Sequence, residues 1–268
     1  DSETHMHNFD ETRRYMETLM STLPRGTVSE LVLHPRGTVL PLTESLEAGD
    51  AGEAAVTLGK LAQLAERQRT LVNGVKVPCG AALPFSTLEH ALRDAGESTH
   101  HHFYSLTAAL ETADTALPAI CKELQELIGG LELPHMALSA LERHLTPEED
   151  DDEEAREGGL FATLAPSSNV THPEVVELAG LYHTVPVVDV TNAQALRETV
   201  TQVWASNFRP RAVLLRRKAG IPQSAAAMAV VARELIPVEL SFTLFTVDPR
   251  DTQNADQAYV EVAVGLGE

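Results

Sequence analysis

The sequence predicts an α+β fold, and three observations predict it. Apolar residues recur at helical spacing through the first half, valine-rich segments bounded by turn signals fill the later part, and seven consecutive acids at 148–154 lie between them. No internal repeat of fixed period is visible.

In chain order, residues 1–50 read as an N-terminal extension made of a helix and a hairpin. The stretch Arg13 to Leu23 is amphipathic, and SELVLH and GTVLPL flank the turn signal Pro35-Arg36-Gly37. From Ala54 to Arg69, Leu58, Leu61, Leu64 and Ala65 recur at steps of three and four, which predicts a helix with these residues on its apolar stripe. VKVPCGAALPFS is short, apolar and broken by prolines, which suits an extended run leading into a helix near Ser86. Glu89, three residues after Ser86, has capping-box spacing. A helix from Ala116 to Ile128 ends at Gly129-Gly130.

Residues 147–159 form an acidic, flexible linker between parts 51–146 and 160–268, because the like charges of EEDDDEE repel and favour solvation. After it, Ala193 to Ala219 is helical in pattern. TVPVVDV, AMAVVARELI, LSFTLFTVDP and AYVEVAVG carry the β-branched and aromatic residues of strands.

The 39 acidic and 20 basic residues give a net charge of -19, so the chain as a whole repels nucleic-acid phosphate and anionic membranes. No apolar run approaches the roughly 18 residues of a membrane span. Cys79 and Cys121 lack CxxC spacing and fit a reducing compartment. The acidic start without methionine reads as a processed or incomplete terminus.

Several clusters admit both structural and functional readings. His100, His101 and His102 are adjacent, and neighbouring side chains rarely converge as three metal ligands, so no metal site is assigned. Arg209, Arg211, Arg216, Arg217 and Lys218 are five cations within ten residues that contain no acid. They fit either a contact surface or a helix whose cations snorkel around a buried Trp204 and Val213 side. The segment Glu148 to Glu154 fits a solvated loop or a docking tail for a basic partner.

VWASNFRPRAVLLRRKAGIP at 203–222, then AMAVVAREL, LSFTLFTVDP and YVEVAVGLGE, resemble in order and spacing the ATP-binding domain of glucan and phosphoglucan water dikinases, phosphoenolpyruvate synthase and pyruvate phosphate dikinase. GVKVPCGAALPFSTLEHAL at 74–92 resembles the block after the family's lysine-bearing helix. SSNV at 167–170 with LAGLYHTVPVVDV at 178–190 resembles a family stretch that starts RSSANVEDL and continues AGLYDSVPNV. The resemblance implies an ATP-grasp-like domain, incomplete at its C-terminus, with ATP and Mg as cofactors. It also implies transfer of the β-phosphate to a histidine on another domain, and a plastid stroma as the location; otherwise another reducing intracellular compartment is expected.

By resemblance, Lys60, Ser167, Ser168, Glu234 and Ile236 are the candidate ATP contacts. Phosphoryl transfer depends on positioned cations and metal-holding carboxylates, and here the family's arginine before Ser167-Ser168 is Pro166. The acidic pair that follows is replaced near Thr171-His172, and Arg233 stands where the family has glutamine. These departures predict a catalytically impaired, dikinase-derived pseudoenzyme that serves as a structural or interaction subunit with protein partners. The alternative is the ATP-binding part of an active glucan or phosphoglucan water dikinase that phosphorylates starch through a phosphohistidine elsewhere.

Overall fold

The computed structural model describes residues 27–32, 34, 38–42, 48–67, 78–146, 160–171, 180–236, 238–248 and 257–265. Their order is β1 (Thr27–Val28), β2 (Leu40–Pro41), α1 (Ala48–Arg67), β3 (Gly80–Leu83), α2 (Phe85–Asp94), α3 (Glu97–Ala109), α4 (Leu117–Gly129), α5 (His135–Leu145), β4 (Phe161–Ser168), β5 (Val170–Thr171) and β6 (Val185–Asp189). α6 (Ala193–Ser206), α7 (Pro210–Lys218), a short 3-10 turn at Gln223–Ala225, β7 (Met228–Glu234), β8 (Leu240–Phe245) and β9 (Tyr259–Val264) follow. The chain divides into two units, residues 1–234 and 235–268.

The first unit is built on a five-stranded sheet in the order β2-β3-β7-β4-β6, and every neighbouring pair is antiparallel. Side chains alternate across a strand, so a strand covered on both faces is apolar throughout. β7 is such a strand. Ala229 and Val231 join Leu40, Leu42, Ala51, Ala55, Val56 and Phe85 on the α1 face. Val230 and Ala232 face Leu83, Leu164, Leu124, Leu141, Val200 and Trp204 on the other.

The helices bury faces set by their period. α4 buries Leu117, Cys121, Leu124 and Ile128, at steps of four, three and four. α5 buries Ala137, Leu141 and Leu145. α6 starts at Asn192, whose side-chain oxygen accepts a hydrogen bond from the Ala195 amide at 3.1 Å, an N-cap that satisfies a first-turn donor. The expected helix from Ala193 to Ala219 is two helices: it breaks after Ser206, and Pro210 opens α7.

Other expectations are corrected. Leu40–Pro41, from the second apolar run, pairs with β3 and not with SELVLH, whose described residues 29–32 and 34 form no strand; Thr27–Val28, just before that run, pairs with β5. The buried face of α1 consists of small residues, Ala51, Gly52, Ala55, Val56 and Gly59; Leu61 and Leu64 are half exposed. α2 starts after Pro84 with no side-chain cap, and Glu89 instead accepts hydrogen bonds from Arg93, Tyr104 and His100. The expected helix at Arg13 to Leu23 and the acidic linker at 147–159 lie outside the described residues.

The basic run is largely structural. Arg216 is buried; its guanidinium donates to the Asn207 side-chain and backbone oxygens and to Gln223 Oε1 at 2.7–3.0 Å. Burial pushes its pKa down, opposed by neighbouring Tyr182, Cys121 and Glu111. Arg217 donates to the Leu110 carbonyl, and Trp204 and Val213 are fully buried.

The second unit contains the two-stranded antiparallel β8–β9 ribbon. Its register sets Leu240, Phe242 and Leu244 opposite Val264, Val262 and Val260, and all six are exposed. Among the described residues no helix is long and apolar enough to cross a membrane.

Leu164→Ala, at the centre of the sheet, is expected to lower unfolding stability by about 2–5 kcal/mol. Leu61→Ala, on the expected but exposed stripe, is expected to change it by less than about 0.5 kcal/mol. Urea melts of both variants check the assignment.

Candidate functional site

The residues singled out by sequence fall on β4, α1 and the ends of β3 and β7. The antiparallel register between β4 and β7 places Pro166 opposite Val230, Ser167 opposite Ala229 and Ser168 opposite Met228. The Asn169 amide continues this register by donating to the Ala227 carbonyl at 3.3 Å. Antiparallel alternation then directs the Ser167 amide toward β7 and position 166 away from it. Pairing of β4 with β6 ends at Leu164. A residue without an N–H therefore sits where no described strand needs one, which accounts for a proline inside the sheet.

Pro166 has neither charge nor donor, and the hydroxyls after it are engaged. Ser167 is buried, and its Oγ accepts the Ala55 amide of α1 at 3.2 Å. Ser168 Oγ donates to the Ala227 carbonyl at 3.4 Å and accepts the Val170 amide at 3.1 Å. α1 lies directly on this segment. Gly52 adopts φ +80°, and a Cβ there would stand 2.6 Å from both Ser167 Oγ and the Ser168 carbonyl. Only glycine allows that backbone conformation and that approach together. The α1 backbone thus packs directly against Ser167-Ser168.

Sequence reasoning noted Asn169 only as part of a signature. It is fully buried; Nδ2 donates to the Ala225 carbonyl at 2.8 Å and the Ser29 carbonyl at 3.3 Å, and Oδ1 accepts the Ala227 amide at 2.7 Å. Such an amide satisfies three backbone groups at once. Gly52 also went unassigned, because a glycine within a helical pattern carries no signal of the strand it will touch.

Lys60 is exposed on α1, five residues beyond Ala55 and so about 7.5 Å further along the helix axis. It makes no ion pair or hydrogen bond among the described residues. Glu234 closes β7: its amide donates to the Cys79 carbonyl at 2.9 Å, and the Cys79 thiol donates to its Oε2 at 3.2 Å. Arg233 pairs in register with Gly80 and Thr163. Ile236 is exposed in the second unit. The structure therefore joins Ser167 and Ser168 to α1, ties Glu234 to the start of β3, and leaves Lys60 pointing to solvent.

The histidine run splits among three carboxylates. His100 meets Glu89 at 2.9 Å, His102 meets Glu123 at 2.9 Å, and His101 lies 3.9 Å from Glu97. Among the described residues no group of three or more His, Cys, Asp or Glu side chains could hold a metal ion. Burial raises the Glu89 pKa, but hydrogen bonds from Tyr104, His100 and Arg93 outweigh it and hold the carboxyl below its ordinary range.

Residues 57–268 match the family model for the AMP/ATP-binding domain of pyruvate phosphate dikinase. The chain belongs to this family. Relatives include a rifampicin phosphotransferase of Streptomyces sp, 28% identical over 85% of this chain and 25% of its own length. A probable phosphoenolpyruvate synthase of Methanothermobacter thermautotrophicus is 25% identical over 83% of this chain and 30% of its own length. The chloroplastic alpha-glucan water dikinase 1 of Arabidopsis thaliana is 24% identical over 72% of this chain and 11% of its own length. The chain spans about a quarter of the length of the rifampicin phosphotransferases it matches. Identities this close do not single out the glucan branch. The α+β architecture, with helices on both faces of an antiparallel sheet, is consistent with the family's ATP-grasp-like domain.

Ser167→Ala leaves the buried Ala55 amide without its acceptor and is expected to cost about 1–3 kcal/mol. Gly52→Ala is expected to cost at least as much, from the clash and the positive φ, and chemical denaturation measures both. The depressed Glu89 carboxyl contributes stability above the ordinary carboxylate pKa, near 4, and that contribution is lost as the pH falls below it. Glu89→Gln is therefore expected to flatten the acid limb of a stability-versus-pH profile.

Proposed function

We propose that this dikinase-family domain no longer transfers phosphate and serves as a structural or interaction subunit of a larger assembly. The observation that carries this reading is the state of residues 166–168: a proline at the family's arginine position, two engaged hydroxyls and the α1 backbone laid against them. Losing a charge-assisted phosphate contact in a desolvated site costs a few kcal/mol, on the order of two or more decades in rate. Side chains that pack can persist while those that only handle nucleotide drift. Glu234 adds weight, because its carboxylate accepts the Cys79 thiol.

For protein partners, the basic segment Arg209 to Lys218 contributes through its exposed face, since Arg216 and Arg217 are committed internally. The acidic segment Glu148 to Glu154 is the other proposed contact region.

A second reading rests on Lys60. Its ammonium is exposed at the position of the family's phosphate-contacting lysine, as expected if the chain were the nucleotide-binding part of an active enzyme. In its glucan or phosphoglucan water dikinase form, that enzyme would work with Mg, a phosphohistidine on another domain and a stromal location.

Calorimetric titration with magnesium-ATP separates the readings. The expected result is no saturable binding tighter than about 1 mM, and no change on Lys60→Gln. A tight complex that Lys60→Gln abolishes would overturn the non-catalytic reading and establish the second.

A further inference from the structure

A cleft of about 360 Å³ opens on the first unit, away from the α1–β4 contact. Gln125 of α4, Thr201, Gln202 and Ser206 of α6, His183 just ahead of β6, and Arg209 at the N-cap of α7 line it. Hydrogen bonding sorts these groups. Thr201 Oγ1 donates to the Glu198 carbonyl at 2.9 Å, Ser206 Oγ to the Val203 carbonyl at 2.6 Å, and Gln125 Nε2 to the Phe208 carbonyl at 3.0 Å. Their positions are thereby fixed by the helices that carry them. Arg209, His183 and Gln202 make no side-chain hydrogen bond or ion pair among the described residues.

Among the described residues no aspartate or glutamate lines the cleft, although acids outnumber basic residues 39 to 20 in this chain. A half-buried guanidinium with no carboxylate partner among the described residues is a ready fork for an external oxyanion. His183 adds an imidazole N–H donor beside Arg209 in the same cleft. The volume lies within the roughly 300–1,000 Å³ of small-molecule sites. The cleft thus has the size, charge and free donors of an anion receptor.

We infer that this cleft binds a small molecule bearing an oxyanion, phosphoryl or carboxylate, with Arg209 as the charged fork and His183 and Gln202 as flanking donors. The site is separate from the nucleotide region, and its occupancy is independent of whether magnesium-ATP binds.

The test follows ¹H–¹⁵N resonances of the Arg209 Nε–H, the His183 ring and the Gln202 side-chain amide in the full chain at low salt. Inorganic phosphate and succinate are titrated separately. Saturable shifts at these groups with one probe identify the oxyanion class; with both, they identify a general oxyanion site. Arg209→Gln is expected to weaken binding by about tenfold or more. Arg143→Gln, exposed on α5 and outside the cleft, should leave it unchanged. His183→Asp introduces a carboxylate into the cleft and should abolish the shifts; it decides the matter if Arg209→Gln fails to fold. Absence of saturable shifts with either probe, or wild-type binding by the folded Arg209→Gln or His183→Asp protein, overturns the inference.

Discussion

The antiparallel pairing of β4 with β7 is the constraint on which the rest of the first unit depends. Seven residue pairs, from Ala162↔Glu234 to Ser168↔Met228, join segments that two short strands, two helices and a 3-10 turn separate in sequence. This ladder puts two strands at the centre of the sheet and creates the two faces that α1 and the remaining helices cover. Loop closure over such a span costs entropy that grows only slowly with length, so one long apolar ladder is enough to offset it. β3 and β6 then add on either side, and the small-residue face of α1 seats against the segment that ends β4.

That seating links fold to function. In a phosphate-binding segment, donors must point outward with room for a ligand. Here the Ser167 hydroxyl receives the Ala55 amide, Gly52 lets the α1 backbone approach within contact distance, and Pro166 occupies a position whose missing amide no described strand requires. Each feature stabilises packing, and on the non-catalytic reading proposed above each also removes a feature of a phosphate site. The family relationship and the altered site are therefore compatible. The chain keeps the strands and apolar faces matched by the AMP/ATP-binding domain model, and the Ser167 and Ser168 hydroxyls between them are engaged by backbone groups.

The sequence made the strands of the later part legible because their apolar runs are bounded by strong turn signals. The region 185–264 reads as expected, except for the break before Pro210. The resemblance blocks also located the segments at 80–83 and 166–168. Three kinds of feature were not legible. β4 itself was missed as a strand, because ATLAPSS mixes small, polar and proline residues, whose strand state comes from β7 and not from local propensity. α3 hides its period, since only Phe103 and Thr107 are fully buried on it. The role of Gly52 and the commitment of Arg216 depend on partners distant in sequence, and no local pattern encodes them.

The central claim is that the Ser167-to-Ala55 contact holds α1 on the end of β4 and leaves no room there for a nucleotide phosphate. Hydrogen exchange of the Ala55 amide, with and without millimolar magnesium-ATP, tests it most directly. The account predicts a slowly exchanging amide whose rate is the same in both conditions. An amide that exchanges freely in the resting protein, or one whose protection changes on adding nucleotide, would contradict it.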